Sequence, residues 1–172
     1  MITNFPSLLQ KNFGAPQDCT LVSITSITDY FTNLKLDPED IYEYIERVAK
    51  GFCYNGNSWG TIPIFICNIF NKVCKQFGIQ KKCKHGYMKN VGFNMSTIKQ
   101  NIYNKNPLIL NIHNDGRDYY KDHSVVVVGF ITYQIDSGKQ IHMIAVYDNW
   151  TNSIGYVDYQ KLSNISSVNY LK

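Results

Sequence analysis

The residue best placed for chemistry is Cys19, since its thiol falls at the predicted start of a helix. Residues 15–19, Ala-Pro-Gln-Asp-Cys, lead directly into a helical run over 20–34. Unpaired backbone N–H groups and the positive end of the helix dipole lower the pKa of a cysteine in the first turn, which makes it a better nucleophile at neutral pH. The alternative is a buried thiol that only packs, because free cysteine is among the most buried residue types.

A thiol nucleophile needs a base, and the second half of the chain offers His123 and then Asp148. A carboxylate that accepts a hydrogen bond from one imidazole nitrogen fixes the tautomer of the ring and stabilises the imidazolium. The other nitrogen is then free to take the proton of the thiol. The order Cys, His, Asp therefore predicts a triad. The alternative is that His123 and Asp148 are an ordinary strand-start residue and turn residue.

A predicted hairpin brings this histidine and aspartate together. The turn signal Asp136-Ser137-Gly138 separates two strand-like runs over 123–133 and 140–147, which indicates antiparallel pairing around a two-residue loop at 136–137 or 137–138. In either register His123 and Asp148 lie on the same face and at the same end of the hairpin. Their offset along the strand is about 7 to 13 Å. A bulge or the reach of the side chains must close that gap.

The predicted secondary structure that positions these residues changes once along the chain, from helices to strands. Periodicity and capping signals predict four helices, over 19–34, from 38 to about 48, over 62–77 and over 96–104, with Asp18 and Asp37 as caps of the first two. Strands are predicted over 108–112, 123–133, 140–147, 154–159 and 168–171. Segments 51–59, 80–93 and 114–122 are predicted to be irregular. Helices followed by an antiparallel sheet indicate an α+β fold.

Composition limits the classes of protein that this chain resembles. With 172 residues, 44% of them hydrophobic, it is predicted to form a single domain over residues 1–172. The formal net charge is +4, and one dense basic cluster is predicted to be a solvated face: Lys81, Lys82, Lys84, His85 and Lys89. Few aromatic residues accompany that cluster, so nucleic-acid binding is not expected.

The cysteine pattern and the apolar runs indicate which further kinds of site and segment are not expected. Five cysteines without a Cys-x-x-Cys pair predict neither a disulfide framework nor a zinc site, so we expect no metal and no cofactor. Cys67 and Cys74 are predicted to be core residues of the third helix. No run of about eighteen apolar residues indicates a membrane span, and the first residues lack the pattern of a signal peptide. A cytoplasmic protein is the expectation, with secretion as the open alternative.

Three short motifs, taken in order, resemble a known family. Asp18-Cys19 opens a long helix, residues 122–130 read Asp-His-Ser-Val-Val-Val-Val-Gly-Phe, and residues 147–150 read Tyr-Asp-Asn-Trp. Residues 106–110, Asn-Pro-Leu-Ile-Leu, resemble the entry to the strand before the histidine. Over about 12–159 the chain resembles the papain-like cysteine peptidases. The most similar group is the small bacterial domains like the bacteriocin-processing peptidases, which cut double-glycine leader peptides.

This resemblance implies a papain-like fold and a role for each matching residue. Cys19 would be the nucleophile, His123 the base and then the acid, and Asp148 the orienting residue, acting on a peptide or protein substrate. Trp150 would shield the hydrogen bond to the histidine, against the alternative of an ordinary core aromatic. Phe13 occupies the position of the glutamine that usually binds the oxyanion. Two polar residues are candidates to replace that glutamine, Asn12 and Gln17, with Asn12 preferred because Gln17 is so close to the nucleophile.

Other readings of the same residues remain open. Asn57-Ser58-Trp59-Gly60 spells the asparagine motif of papain literally, but it precedes the histidine and follows no strand, so we do not assign it to the triad. Transglutaminases and arylamine N-acetyltransferases also use the order Cys, His, Asp, which makes an acyl transferase one alternative. A second alternative is an inactive papain-like module that binds peptides or regulates a partner. The oligomeric state is not predicted.

Overall fold

A computed structural model describes residues 1–33, 35–87, 94–116 and 119–172. The described elements, in chain order, are α1 (Cys19–Phe31), α2 (Pro38–Lys50), α3 (Pro63–Gln76), β1 (Cys83–Tyr87), α4 (Met95–Tyr103), β2 (Leu108–Ile112), β3 (His123–Gln134), β4 (Gln140–Tyr147), β5 (Ile154–Asp158) and β6 (Ser167–Leu171). The strands form one antiparallel sheet in the order β1-β6-β2-β3-β4-β5. The predicted α+β fold is confirmed.

α1 is the central helix, packed against α2 and against β3. It is rich in serine and threonine, yet these side chains are satisfied, because four hydroxyls donate to the carbonyl four residues earlier at 2.8–3.0 Å: Ser23, Thr25, Ser26 and Thr28. The helix therefore tolerates burial on nearly every side. Its predicted start at Cys19 is confirmed. It ends at Phe31, before the left-handed Asn33, and Leu34 lies outside the described residues.

The other helices follow their predicted start signals closely. The Asp37 carboxylate accepts from the Glu39 N–H at 2.9 Å, and Pro38 occupies the first turn of α2. α3 also begins with a proline, and α4 is capped by the Asn94 side chain. None of the described helices is long and apolar enough to span a membrane.

The hairpin of β3 and β4 corrects the predicted turn. Gln134 pairs with Gln140, so five residues rather than two connect the strands, and the predicted register is wrong near the turn. A bulge between Val127 and Gly129 then shifts the register by one residue, so that Val126 pairs with Tyr147. This pairing is the one that the 136–137 loop predicts near His123. The bulge therefore restores the expected alignment at the end of the hairpin that carries His123 and Asp148.

β1 lies within a segment predicted to be irregular. Residues 83–87, Cys-Lys-His-Gly-Tyr, pair only with β6 at the edge of the sheet. An edge strand of polar residues shows neither the alternation nor the apolar run that indicates a strand. The strand also changes the prediction for the basic cluster, since His85 is half-buried and bonds to Asn169. Lys89, a member of that cluster, lies outside the described residues.

Candidate active site

A cleft of about 710 Å³ separates the helical half of the molecule from the sheet. Cys19, the first residue of α1, and His123, the first residue of β3, both line this cleft. The rest of its wall comes from segment 58–63 on the helical side, and from the end of β2, Asp122 and Ile165 on the side of the sheet. The structure therefore brings the predicted nucleophile and the predicted base to opposite sides of one opening.

The Cys19 thiol is held by the strand that carries the histidine. Its Sγ accepts a hydrogen bond from the Ser124 N–H at 3.4 Å. Burial raises the pKa of Cys19 above its ordinary value, and hydrogen bonds from Ser124 and Thr20 offset only part of that effect. The lowered pKa that the sequence predicts for a helix start is opposed here by the burial of the thiol. At neutral pH the thiol is protonated.

The His123 ring is oriented by a main-chain carbonyl. Its Nε2 lies 2.7 Å from the Asp148 carbonyl oxygen, which only accepts hydrogen bonds, so the proton of the neutral ring is on Nε2. Nδ1 is then the basic nitrogen. Burial lowers the pKa of His123, and the Asp148 carbonyl and carboxylate oppose that effect. Within the described residues, no direct hydrogen bond joins Cys19 and His123.

Two aromatic rings cover the imidazole of His123. Trp150 stacks on it with ring centroids 3.9 Å apart and an interplanar angle of 25°, and Tyr120 lies 5.9 Å away and nearly parallel. Trp150 is 44% exposed, so the residue is only partly covered by its neighbours. Sequence reasoning singled out Trp150 but missed Tyr120, which lies in a segment predicted to be irregular. Together the rings limit the access of water to the bond between His123 and Asp148.

The Asp148 carboxylate does not bond to the imidazole as predicted but has other hydrogen-bond partners. Its Oδ1 accepts from the Trp150 N–H at 3.0 Å and from the Thr151 N–H at 2.9 Å, and its Oδ2 accepts from the Tyr120 hydroxyl at 3.1 Å. The carboxylate thus closes the turn after β4 and fixes the two aromatic residues. The predicted contact between this carboxylate and the imidazole is replaced by the main-chain contact.

Exchanging Asp148 for asparagine is therefore expected to change the reactivity of Cys19 by less than about tenfold, which corresponds to about 1.4 kcal/mol. Asparagine keeps an acceptor for the turn and leaves the carbonyl in place, so only a through-space attraction of about 1 kcal/mol is lost. Asp148→Ala removes the acceptor of the turn and should cost about 1–3 kcal/mol of unfolding free energy. Alkylation rates and urea unfolding measure the two effects. If Asp148→Asn lowered the reactivity of Cys19 as much as His123→Ala does, this assignment would be contradicted.

Asn149 connects the nucleophile helix to the histidine strand, and sequence reasoning missed it. Its Nδ2 donates to the Ser23 hydroxyl at 2.8 Å, to the Cys19 carbonyl at 3.2 Å and to the Ser124 carbonyl at 3.3 Å. The residue is 2% exposed and has a φ of 62°, a conformation that asparagine tolerates better than most residues. An asparagine two residues after the end of a predicted strand was the available signal.

Asp18 is not the helix cap that the sequence predicts. It occupies the position before α1, but its side chain makes no capping hydrogen bond. The fully buried carboxylate instead accepts from the hydroxyls of Tyr42 and Tyr54 and from the Ala15 N–H. These contacts fix the turn before Cys19 against α2 and against the segment that contains Tyr54.

Of the two oxyanion candidates, Gln17 lines the cleft, whereas the described residues that line it do not include Asn12. The Gln17 backbone is fixed by an N–H donated to the Gly56 carbonyl at 3.1 Å. Gly60 packs against it with a φ of 66°, and a Cβ there would lie 2.6 Å from the Gln17 carbonyl oxygen. A second glutamine, Gln10, donates to the Pro16 carbonyl at 2.5 Å and supports the same turn.

The segment that spells the asparagine motif of papain contributes to the cleft but not to the triad. Ser58, Trp59 and Gly60 line the opening on the helical side, and the Trp59 side chain is 64% exposed. The Trp59 indole donates to the Cys53 carbonyl at 3.1 Å, which fixes the ring at the rim. The residue that contacts the His123 ring through its main chain is Asp148, not Asn57.

A buried polar network continues from the cleft into the sheet. The Thr20 hydroxyl donates to Ser124 Oγ at 2.8 Å, and Ser124 Oγ donates to Asn111 Oδ1 at 2.9 Å. Asn111 Nδ2 donates to Asn169 Oδ1 at 2.8 Å. Because these groups satisfy one another, the network fixes the relative positions of α1, β3, β2 and β6 behind the cleft.

The sequence of this chain is similar to those of known proteins. Residues 2–171 match the family described as the Peptidase_C39 like family. The chain is 25% identical over 138 residues to serine-repeat antigen protein 3 of Plasmodium berghei (strain Anka). That alignment covers 69% of this chain and 13% of the relative, so the chain spans a small part of that protein.

Crystal structures from Plasmodium falciparum share the fold. SERA5E is 16% identical to this chain with a TM-score of 0.52, and the alignment covers 98% of this chain and 89% of that chain. The SERA5 proenzyme is also 16% identical, with a TM-score of 0.51 and coverage of 99% and 62%. The fold and the family match confirm the resemblance to papain-like cysteine peptidases. The chain belongs to the Peptidase_C39-like family.

Proposed function

We propose that this domain is a cysteine peptidase that hydrolyses peptide bonds with Cys19 as nucleophile and His123 as base. The observation that carries the proposal is the cleft that both residues line, with the imidazole held by the Asp148 carbonyl beneath Trp150. This hydrogen bond leaves His123 Nδ1 as the nitrogen that takes the thiol proton. The family match supports a peptidase-type domain, and the proposed substrate is a peptide or protein segment.

In the proposed reaction the thiol proton passes to His123 Nδ1 as Cys19 Sγ attacks the peptide carbonyl carbon. The carbonyl oxygen becomes an oxyanion. The Cys19 N–H stabilises it, since the first residue of a helix has no intrahelical acceptor, and the Gln17 side chain is the proposed second donor. His123 then protonates the leaving amine, and an acyl-enzyme remains. His123 next activates a water, which releases the acid and regenerates the thiol.

The two pKa shifts predict the pH dependence of this chemistry. The pKa of His123 lies below its ordinary value of 6.5, so the imidazole is a neutral base at any pH above that lowered pKa. A raised pKa keeps Cys19 a thiol until the pH exceeds its ordinary value of 9.0. Between these points the pair holds one transferable proton. The reactivity of Cys19 should rise as the pH passes through the His123 pKa and then stay level to above pH 9.

Alkylation of Cys19 by iodoacetamide tests this proposal. The parent protein is expected to show the level region, and His123→Ala is expected to react about 100-fold more slowly at neutral pH. Its rate should rise only as the thiol itself ionises. His142→Ala is the matched control, because His142 bonds to Thr132 near the turn of the hairpin, away from the cleft. Equal profiles for the parent and His123→Ala would overturn the base assignment.

Cleavage of a randomised peptide library then distinguishes the hydrolase from the alternatives. We expect hydrolysed products with the parent protein and none with Cys19→Ala, with mass spectrometry as the readout. Products in which an added amine replaces water would overturn hydrolysis in favour of acyl transfer. Peptide binding without cleavage, together with an unactivated thiol, would overturn catalysis in favour of a binding module.

A further inference from the structure

The hydroxyl of Tyr120 lies directly against Gly155 in β5. A Cβ built on this glycine would lie 2.8 Å from the Tyr120 hydroxyl oxygen, closer than real Cβ atoms approach other atoms. The next nearest atom, Val146 Cγ2, would be 3.6 Å away, which is an ordinary contact. A side chain at position 155 would therefore displace the Tyr120 hydroxyl, whereas its other neighbours would tolerate a methyl group.

The backbone of Gly155 does not itself require glycine. Its φ is outside the left-handed region, and it pairs with Val146 in the regular antiparallel register of β4 and β5. Glycine inside a strand costs conformational entropy, and it often marks a place where another group comes close. At this position the group that comes close is the Tyr120 hydroxyl. The glycine is therefore explained by the side chain that it admits.

The hydroxyl that Gly155 admits bonds to the residue that holds the imidazole. Tyr120 donates to Asp148 Oδ2 at 3.1 Å, and the Asp148 carbonyl oxygen lies 2.7 Å from His123 Nε2. Tyr120 and Asp148 are both 3% exposed, and a bond to a carboxylate is stronger than one between neutral groups. The Tyr120 ring is also parallel to the imidazole to within 12°. One side chain thus bonds to Asp148 and lies alongside the ring of His123.

We propose that Tyr120 is a positioning residue for His123 and that Gly155 provides the space that this role requires. The inference rests on the proposed function, in which His123 is the base. While the hydroxyl holds Asp148, the carbonyl of Asp148 stays where it accepts the proton on Nε2. The ring then keeps one tautomer, and Nδ1 remains the nitrogen that can take the thiol proton.

Removing the hydroxyl is expected to loosen the imidazole without opening the turn after β4. In Tyr120→Phe the N–H groups of Trp150 and Thr151 still donate to Asp148 Oδ1, so the turn remains closed. Asp148 Oδ2 loses the buried Tyr120 donor, so Asp148 can shift. Its carbonyl then contacts His123 Nε2 for a smaller fraction of the time. The loss of one such hydrogen bond changes an equilibrium by about five- to tenfold.

Nuclear magnetic resonance of the imidazole tests this proposal without using the reactivity of the thiol. The His123 Nε2–H signal is assigned in ¹⁵N-labelled protein by its absence from His123→Ala, and its exchange with water is measured. We expect exchange about five- to tenfold faster in Tyr120→Phe. Tyr156→Phe is the matched control, because it removes the hydroxyl of the next residue of β5, which is 39% exposed. Unchanged exchange in Tyr120→Phe would overturn the proposal, even if the free energy of unfolding decreased.

Alanine at position 155 tests whether the glycine serves the hydroxyl. The added Cβ displaces the Tyr120 hydroxyl, so Gly155→Ala is expected to accelerate the same exchange about as much as Tyr120→Phe does. The double variant has no hydroxyl to collide with the Cβ, so its exchange should equal that of Tyr120→Phe alone. Effects that multiply in the double variant would overturn the role of Gly155. If Gly155→Ala does not fold, recovery of folding in the double variant supports the collision, and a failure to recover overturns it.

Alkylation of Cys19 separates this inference from the proposed function. We expect Tyr120→Phe to lower the level region of the rate about five- to tenfold and to leave unchanged the rate at a pH where the thiol itself is ionised. Tyr120→Phe should have no further effect in His123→Ala, and a further loss there would overturn the positioning role. Equal rates for the parent and His123→Ala would reject the proposed function. The exchange of the imidazole proton would still decide whether Tyr120 holds the ring.

Discussion

Replacing Asp18 with alanine is expected to lower the free energy of unfolding by about 3–5 kcal/mol, as when one partner of a buried charged network is removed. The substitution leaves the hydroxyls of Tyr42 and Tyr54 and the Ala15 N–H without their shared acceptor. Each unsatisfied buried group costs about 1–3 kcal/mol. Urea unfolding measures the loss. The turn before Cys19 should loosen at the same time, so the alkylation rate of Cys19 is expected to change as well.

Conservative variants test the cause of this effect. Tyr42→Phe and Tyr54→Phe each remove one donor and should each cost less than Asp18→Ala. Both tyrosines have a raised pKa because of burial and the Asp18 carboxylate, so their contribution is fully present below about pH 10 and decreases as the pH rises beyond it. An unfolding free energy that is unchanged in Asp18→Ala, or the same alkaline profile in the double phenylalanine variant, would contradict this account.

Replacing Asn149 with alanine is expected to lower the free energy of unfolding by about 3–5 kcal/mol, because the amide is lost and the backbone is strained. The amide donates to three buried acceptors that belong to α1 and β3. Alanine also disfavours the left-handed conformation by about 1 kcal/mol. The reactivity of Cys19 should decrease with stability, because the same amide connects the nucleophile helix to the strand of His123. Urea unfolding and Cys19 alkylation measure the two effects.

Glycine and aspartate at this position separate the contributions. Asn149→Gly keeps the backbone conformation and loses only the amide, so it should be about 1 kcal/mol more stable than Asn149→Ala. Asn149→Asp places a carboxylate against the carbonyl oxygens of Cys19 and Ser124 and is expected to be at least as harmful as alanine. Equal stability of Asn149→Asp and the parent would show that the amide does not hold the two elements together.

Sequence reasoning predicted the parts of this fold that depend on local signals. The start of α1 at Cys19, the capping of α2 by Asp37 and the strand over 108–112 each follow from residue types within a few positions. β1 was missed because an edge strand needs no apolar face. The turn of the hairpin was wrong because residues 136–138 indicate a two-residue loop, whereas Gln134 pairs with Gln140 and five residues connect the strands. The four consecutive valines over 125–128 give no signal for the bulge that then shifts the register.

In the candidate site, too, sequence patterns predict which segments come together but not which atoms make contact. The predicted hairpin placed His123 near Asp148, and the structure shows a contact between them. Whether the imidazole meets the carboxylate or the carbonyl of the same residue depends on a displacement of a few ångströms, which spacing does not specify. The roles of Asp18 and Asn149 depend on partners far away in the sequence, Tyr54 and Ser23 among them. No local pattern encodes such contacts.

The bond between Cys19 and Ser124 joins residues that are 105 positions apart. His123 and Asp148 lie in one hairpin, so that half of the site forms from neighbouring parts of the chain. The proposed nucleophile, in contrast, is synthesised early and approaches its proposed base only after the last strands have been made and the sheet has closed against α1. A nascent chain on the ribosome therefore carries the thiol without its base, and the proposed activity becomes available only when folding is complete.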